Sequence, residues 1–229
     1  MKGVFITGTD TGVGKTLVTC GIARLLKQGG VRVGVMKPIA TGDRDDAKRL
    51  IAAAGVDDPI ELVNPLFFKT PLAPSVAAQL ERRAIDLEEV YKVYWVLQKK
   101  YDVLLVEGIG GVKVPLDEST YVLDLIQALR LPALVVARAA LGTLNHTLLT
   151  LDALERGKIS VVGVLLNGGT GKTLAEETNQ DALQDHTPVQ VLGQLRFQKA
   201  LQNNPDAAAR SLARLPLLVK SIRRACGLA

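Results

Sequence analysis

Short runs of β-branched and aliphatic residues alternate along the chain with longer stretches whose apolar residues recur at helical spacing. The apolar runs predict six strands, at Val4 to Thr7, Val31 to Lys37, Val103 to Glu107, Ala133 to Ala137, Val161 to Asn167 and Val189 to Leu192. The helical spacing predicts six helices, at Lys15 to Gln28, Asp45 to Ala54, Leu87 to Lys100, Tyr121 to Leu129, Thr143 to Arg156 and Leu174 to Leu183. Most strands are apolar on both faces, which is typical of a sheet covered on both sides. The alternation predicts an α/β fold with a doubly wound, mainly parallel sheet, in which ligands bind at the carboxyl ends of the strands.

Local signals support several of these boundaries. Gly29-Gly30 can end the first helix, Asp86 with Glu89 resembles a capping box, and Pro132 follows the helix that ends at Leu129. The stretch from Asn64 to Ser75 is rich in proline but too apolar for a flexible linker, so we expect an ordered loop over the sheet. With no repeat and no linker, residues 1–229 are expected to form one domain.

Composition narrows the class of protein. The chain is 48% hydrophobic and 22% charged, which is typical of a globular protein. It has no run of about 20 apolar residues that could cross a membrane and no secretory signal. Two cysteines cannot form a disulfide framework or a four-ligand zinc site, and a cytoplasmic location is the simplest expectation. The net charge of +5 is scattered without interleaved aromatic residues, which favours a solvated surface over a nucleic-acid groove.

The strongest chemical signal is the segment Gly8-Thr9-Asp10-Thr11-Gly12-Val13-Gly14-Lys15-Thr16, which follows a predicted strand and opens a predicted helix. Glycines allow backbone N–H groups to converge on phosphates, and the helix N-terminus favours negative charge. Lys15 supplies a cation and Thr16 a ligand for Mg²⁺. Five residues rather than the usual four separate Gly8 from Gly14-Lys15. The segment therefore predicts a variant loop that binds a nucleoside triphosphate.

A second glycine-rich stretch, Asn167-Gly168-Gly169-Thr170-Gly171-Lys172-Thr173, also ends in Gly-Lys-Thr. It lacks a glycine at the required distance upstream, so a second phosphate loop is not expected. Because the carboxyl ends of parallel strands share one edge, Asn167 is better placed to bind the base of the nucleotide held at Lys15.

Glu107 ends the predicted strand that begins at Val103. A carboxylate at the end of a buried strand is typical of the group that holds a metal ion or its water shell in nucleoside triphosphatases. Thr16 and either Asp45 or Asp46 are expected to complete this metal site.

Lys37 ends another predicted strand, and Pro38 follows it. A lysine at this position can simply extend into solvent. Beside a triphosphate it can instead neutralise a phosphoryl group during transfer. The sequence pattern around Lys37 leaves both interpretations open.

Taken together, four segments resemble the dethiobiotin synthetase family over nearly the whole chain. They are the loop from Gly8 to Thr16, Met36-Lys37-Pro38-Ile39-Ala40-Thr41-Gly42, Glu107-Gly108-Ile109-Gly110-Gly111 followed by Val114-Pro115-Leu116, and Gly142-Thr143-Leu144-Asn145-His146-Thr147-Leu148-Leu149-Thr150. The resemblance implies a P-loop nucleoside triphosphatase-like fold and an ATP- and Mg²⁺-dependent ligase of biotin biosynthesis. Such a ligase carboxylates 7,8-diaminopelargonate with CO₂ (bicarbonate) and closes the urea ring through a carbamate and a carbamic-phosphoric anhydride.

The resemblance also implies a role for each matching residue. Lys15 holds the β- and γ-phosphates, Lys37 bridges the carbamate and the γ-phosphate, and Thr41 contacts the carbamate. Thr11, which is counted with these two lysines as catalytic, and the backbone amides from Gly12 to Leu17 hold the phosphates and the forming carbamate. Thr16, Asp46 and Glu107 bind Mg²⁺. The remaining implied ATP contacts are Gly12, Val13, Gly14, Leu17, Gly108, Ile109, Gly110, Asn167, Gly168, Leu195, Arg196 and Phe197. Gly142, Thr143, Leu144 and Asn145 reach the diamine acid bound mainly by the other subunit of a homodimer.

Several residues depart from the family pattern. Position 12 is Gly where some members have Glu, Thr41 replaces a common Ser, Val76 replaces a frequent His, and Arg196 replaces a common Pro. These departures bear on base selectivity and substrate affinity, not on the chemistry.

Two other groups share a variant phosphate loop. A ParA/MinD-like ATPase switch that acts through protein partners is the alternative function, although that group has a lysine early in the loop, where this chain has Gly8-Thr9. A cobyrinate synthase needs a further glutaminase domain, for which 229 residues leave no room.

Overall fold

The computed structural model describes residues 2–228, and its centre is a six-stranded parallel sheet. Its strands are β1 (Gly3–Gly8), β2 (Val33–Met36), β5 (Val103–Gly111), β6 (Ala133–Arg138), β7 (Val161–Gly169) and β8 (Val191–Arg196), in the order β2-β5-β1-β6-β7-β8. Two further strands, β3 (Ile39–Thr41) and β4 (Leu66–Phe68), form a small parallel sheet. In the large sheet, β2 and β5 lie on one side of β1, and β6, β7 and β8 lie on the other. This change of direction places the topological switch point at the carboxyl end of β1.

Helices cover both faces of the large sheet. One face packs against α1 (Lys15–Gln28), α2 (Asp45–Ala54), α3 (Ile60–Val63), α9 (Pro205–Leu212) and α10 (Pro216–Ala225). The other packs against α4 (Pro74–Glu81), α5 (Leu87–Lys100), α6 (Val122–Leu129), α7 (Thr143–Arg156) and α8 (Leu174–Asp185). A 3₁₀ turn spans Lys199–Leu201.

The buried central strand shows why the sequence forms two cores. Val4 and Ile6 belong to one apolar cluster and Phe5 to the other, because successive side chains of a strand point to opposite faces. All six residues of β1 are buried. The fold class predicted from the apolar runs is confirmed.

The predicted helix boundaries at Gly29 and Asp86 are also confirmed. Gly29 follows α1 and its N–H donates to the carbonyl of Leu25. The Asp86 side chain accepts hydrogen bonds from the backbone N–H groups of Glu88 and Glu89. Within residues 2–228, no helix combines the length and the apolar character needed to cross a bilayer.

Three sequence predictions need correction. The stretch from Asn64 to Ser75 is not an irregular loop throughout, because it contains β4 and the start of α4. Glu107 does not end its strand: β5 continues through the glycines to Gly111, which pairs with Gly8. Strand β8 runs to Arg196 rather than Leu192, because Gly193-Gln194 interrupts the apolar pattern but not the ladder with β7.

Candidate functional site

Hydrogen bonds from two side chains to backbone carbonyls hold the loop between β1 and α1 in place. Lys15 Nζ donates to the carbonyl of Asp10 at 3.0 Å. Asn167, arriving on β7, donates its Nδ2 to the carbonyl of Val13 at 2.8 Å. Gly14 has a φ of 95°, and a Cβ at this position would collide with the Asn167 amide. The close packing of loop and amide therefore requires glycine at position 14.

Next to the loop lies a cluster of four polar side chains. Lys37 Nζ donates to Glu107 Oε1 at 2.7 Å and to Asp46 Oδ2 at 2.8 Å. The Thr16 hydroxyl lies 2.8 Å from Asp46 Oδ1 and 2.8 Å from Glu107 Oε1. Glu107 is fully buried, and its Oε2 has no hydrogen-bond partner among the described residues. One oxygen of this buried carboxylate therefore remains without a partner among the described residues.

Hydrogen bonds to the backbone of Lys37 hold this residue in place. Lys37 follows β2, and its N–H donates to the carbonyl of Val63 at 2.7 Å. The buried Asn64 side chain donates to the carbonyls of Lys37 at 2.8 Å and Leu66 at 3.0 Å. Asn64 thereby ties the segment that carries Lys37 to the start of β4.

The two neighbouring acidic residues at the start of α2, Asp45 and Asp46, have different partners. Asp46 faces Thr16 and Lys37, whereas Asp45 pairs with Lys48 on the surface. Arg44 precedes α2, bonds to Glu61 and lies over the Phe67 ring, 5.0 Å from its centroid. Asp46 is therefore the acidic residue that joins the cluster.

The two lysines differ in their electrostatic environment. Burial, reinforced by repulsion from Lys37, lowers the pKa of Lys15 to about 8. Burial also acts to lower the pKa of Lys37, but the charges of Glu107 and Asp46 outweigh it and raise this pKa above its ordinary value. Burial opposes ionisation of Asp46 too, yet Lys37 and Thr16 hold its pKa below the usual range. Lys15 is thus the lysine that a bound anion would stabilise most.

A cavity of about 640 Å³ opens at the carboxyl edge of the sheet between these groups. Five cationic side chains and two acidic ones line it, which favours an anionic ligand: Lys15, Lys37, Arg49, Arg138 and Arg196 against Asp43 and Asp46. The predicted site residues on its wall are Thr11, Gly12, Val13, Gly14, Lys15, Thr16, Leu17, Lys37, Thr41, Asp46, Ile109, Gly110, Asn167, Gly168, Arg196 and Phe197.

Other predicted site residues lie elsewhere. Glu107 and Gly108 do not line the cavity, but both accept hydrogen bonds from Lys37 Nζ, which lies 3.3 Å from the Gly108 carbonyl oxygen. The Leu195 side chain packs into the core. The segment from Gly142 to Asn145 does not line the cavity, and Thr143 is buried.

Sequence reasoning missed several residues of the cavity wall. They are Ala40, Asp43, Arg49, Arg138, Gln198, Leu201, Gln202 and Asn203. The polar run Gln202-Asn203-Asn204 after β8 is a signal that could have pointed to some of them.

The second glycine-rich stretch is occupied by a side chain of its own chain. Glu176 accepts hydrogen bonds from the backbone N–H groups of Thr170 at 3.0 Å and Lys172 at 3.1 Å. The N–H groups that would hold a phosphate are thus taken by a carboxylate, which agrees with the expectation that this stretch is not a second phosphate loop.

The donor set around Thr16 fits Mg²⁺. Among residues 2–228 no group of three or more His, Cys, Asp or Glu side chains is arranged to hold a metal ion. Two carboxylates and one hydroxyl, with Glu107 Oε2 unpartnered, match an ion that takes few protein oxygens and completes its shell with phosphates and water.

Comparison with known sequences gives consistent matches over most of the chain. Residues 2–205 match the AAA domain family. The ATP-dependent dethiobiotin synthetase BioD of Endomicrobium trichonymphae is 49% identical over 73% of this chain and 79% of its own length. That of Thermodesulfovibrio yellowstonii is 43% identical over 85% of this chain and 88% of its own length.

Solved structures match the fold at low sequence identity. The MinD protein of Pyrococcus horikoshii, in complex with Mg-ADP, has a TM-score of 0.60 at 18% identity, covering 98% of this chain and 94% of its own. The MinC:MinD complex of Aquifex aeolicus gives a TM-score of 0.62 at 16% identity, covering 100% and 97%. At these identities the likeness concerns the fold alone, so the switch alternative gains no functional support from it.

Proposed function

Because the chain belongs to the family of ATP-dependent dethiobiotin synthetases, we propose that the cavity beside Lys15 is its active site. The observation that carries this proposal is the placement of Lys37, held between Glu107 and Asp46 beside the loop that carries Lys15. Two cations stand at one wall of a single cavity, where a triphosphate and a second anionic substrate can meet.

We assign the phosphates of ATP to the loop. The backbone N–H groups from Gly12 to Leu17 would point at the phosphates, and Lys15 would neutralise their charge. Gly108 to Gly110 and Asn167-Gly168 would flank the nucleotide, with Arg196 and Phe197 near its base. Asn167 already donates one amide N–H to the carbonyl of Val13, so its oxygen and its second N–H would remain for the base.

Thr16, Asp46 and Glu107 would hold Mg²⁺. The bound ion would neutralise charge on the phosphate oxygens and orient them. The two carboxylates would retain Lys37 nearby, so that cationic charge lies on two sides of the reacting phosphoryl group.

The reaction divides into three bond changes. One amine of 7,8-diaminopelargonate attacks CO₂ and loses a proton, which gives a carbamate. A carbamate oxygen then attacks the γ-phosphorus and ADP leaves. Finally the second amine attacks the carbamate carbon and loses a proton, phosphate leaves, and the ring closes. Lys37 and Thr41 would hold the carbamate, and fixed cations stabilise the negative charge that gathers in the second step.

We further propose that the chain acts in the cytoplasm as one domain and as a homodimer. Leu141 is 91% exposed and Leu149 on α7 is 61% exposed, so the segment around Gly142 to Asn145 carries an uncovered apolar surface. This segment would reach the diamine acid in the partner's cavity, which accounts for its absence from the cavity of its own chain.

Replacing Leu149 with lysine should shift the protein from dimer to monomer in sedimentation and raise KM for the diamine acid. A charge in the centre of an apolar interface is costly because it loses water without gaining a partner. The matched control is Leu174→Lys, which changes another exposed leucine, on α8 (78% exposed). A Leu149→Lys variant that remains a dimer would contradict the proposed interface.

Replacing Asn64 with alanine should lower kcat about tenfold while KM for the diamine acid changes little, because Lys37 loses a backbone tether. Asn179 is the matched control. Its side chain donates to the carbonyl of Ala140 at 3.1 Å, just before the segment proposed to meet the partner's substrate. Asn179→Ala should instead raise that KM. Identical losses in both variants would indicate general destabilisation and contradict a positioning role for Asn64.

Growth tests the proposed function in cells. Expression of the chain in a bacterium that lacks its own dethiobiotin synthetase should restore growth without biotin, as added dethiobiotin does. A strain that grows with dethiobiotin but not with the expressed chain would contradict the assignment.

A further inference from the structure

Two cationic side chains of the cavity, Arg49 and Arg138, have no part in the roles described above. Arg138 is the last residue of β6 and the only exposed residue of that strand. Its Nη2 lies 3.9 Å from the point where a Cβ on Gly12 would stand. Since β6 pairs directly with β1, the guanidinium group extends over the middle of the phosphate loop.

The other cations near the loop are already engaged by protein groups. Lys15 donates to the carbonyl of Asp10, Lys37 to Glu107 and Asp46, and Arg49 to the carbonyl of Gln202. No hydrogen bond or ion pair within residues 2–228 engages the Arg138 guanidinium, so its donors are available for a ligand. Arg196 is also available, but it lies on β8, two strands farther from β1.

The strand order places Lys37 and Arg138 on opposite sides of the loop. Lys37 and Glu107 come from the β2-β5 side of β1, whereas Arg138 comes from the β6 side. Gly12, which has a φ of 73°, adds no side chain between Arg138 and the loop backbone. A phosphate chain held by the loop would therefore face Lys37 on one side and Arg138 on the other.

We propose that Arg138 binds the phosphate chain of the nucleotide, closing the loop from the side opposite Lys37. This inference rests on the assignment of ATP to the loop. The planar guanidinium group can donate two parallel N–H bonds to phosphate oxygens, a geometry that lysine cannot supply. The loop lacks an early lysine at Gly8-Thr9, and Arg138 supplies a cation from a neighbouring strand instead.

The test measures binding of two probes, ATP and inorganic tripolyphosphate, to the full chain by calorimetry in the presence of Mg²⁺. Arg138→Gln should raise Kd about tenfold for both probes, because both carry the phosphates that the guanidinium would contact. Arg138→Lys should lose less affinity, because lysine keeps the positive charge but lacks the two parallel N–H donors of the guanidinium group. The matched control is Arg130→Gln, which removes the same charge just before β6, at the opposite edge of the sheet.

Two results would overturn the proposal. A loss of affinity for ATP alone would assign Arg138 to the base or ribose, and unchanged affinity for both probes with a raised KM for the diamine acid would assign it to that substrate's carboxylate. Thermal unfolding of each variant shows whether the fold is retained. Binding does not require turnover, so failure of wild-type product formation would bear on the proposed function and not on this contact.

Discussion

Replacing Lys37 with alanine is expected to lower kcat at least about a hundredfold, roughly 3 kcal/mol in activation free energy, while ATP binding is largely kept. The lysine is buried, its ammonium group is fixed by Glu107 and Asp46, and its pKa lies above the ordinary value, so it would remain charged at the proposed site of transfer. The proposed phosphate contacts belong to the loop and Lys15, which the substitution leaves in place.

Steady-state kinetics and calorimetry with ATP separate these two effects. Lys48→Ala is the matched control, because Lys48 lies on α2 and pairs with the exposed Asp45 outside the cluster. Near-normal turnover of Lys37→Ala would remove Lys37 from the mechanism. A loss of ATP affinity as large as the loss of kcat would instead assign it to nucleotide binding.

Replacing Glu107 with glutamine is expected to lower the free energy of unfolding by about 3 kcal/mol as well as to abolish most turnover. Glutamine keeps the size of the side chain but removes the charge nearest to Lys37, which is then buried with Asp46 as its remaining counter-charge. Catalysis suffers separately, because a proposed Mg²⁺ ligand is lost.

The double variant Lys37→Met with Glu107→Gln distinguishes these two causes. Removing both charges leaves no charge buried between β2 and β5, and the remaining ion of the cluster, Asp46, has a partly exposed side chain. The double variant should therefore be more stable than Glu107→Gln alone in urea unfolding, yet equally inactive. Additive destabilisation in the double variant would contradict the view that the two charges stabilise each other in the core.

The sequence predicted the parts of the candidate site that follow from local pattern. The order of glycines before Lys15-Thr16 predicted a loop that binds phosphates, and apolar runs placed Lys37 and Glu107 at the same edge of the sheet, where the structure brings them into contact. The preference for Asp46 over Asp45 came from the resemblance, and the structure supports it through the contacts of Asp46 with Thr16 and Lys37.

Long-range contacts were beyond the reach of the sequence pattern. Asn64 is 27 residues from Lys37, and nothing in the local pattern indicates that its amide tethers that backbone. In the sequence, Arg138 only interrupts an apolar run. Its position over Gly12 follows from the pairing of β6 with β1. The short strands β3 and β4 stabilise each other across the chain, so the local signal around Pro65 and Pro71 predicted a loop.

Contacts between subunits also leave little trace in a single chain. The segment from Gly142 to Asn145 was singled out by its resemblance to a family, not by its chemistry. Its separation from the cavity and the exposed Leu141 beside it are what support a role in a second subunit.

Cleavage of ATP by this chain is expected to be coupled to closure of the urea ring. The most direct measurement is phosphate release by the purified protein with ATP and Mg²⁺, in the presence and absence of diaminopelargonate and bicarbonate, with dethiobiotin quantified in the same samples. The expected result is one phosphate for each dethiobiotin formed and almost no release without the diamine acid. Phosphate release that is independent of the diamine acid, with no dethiobiotin formed, would contradict the account.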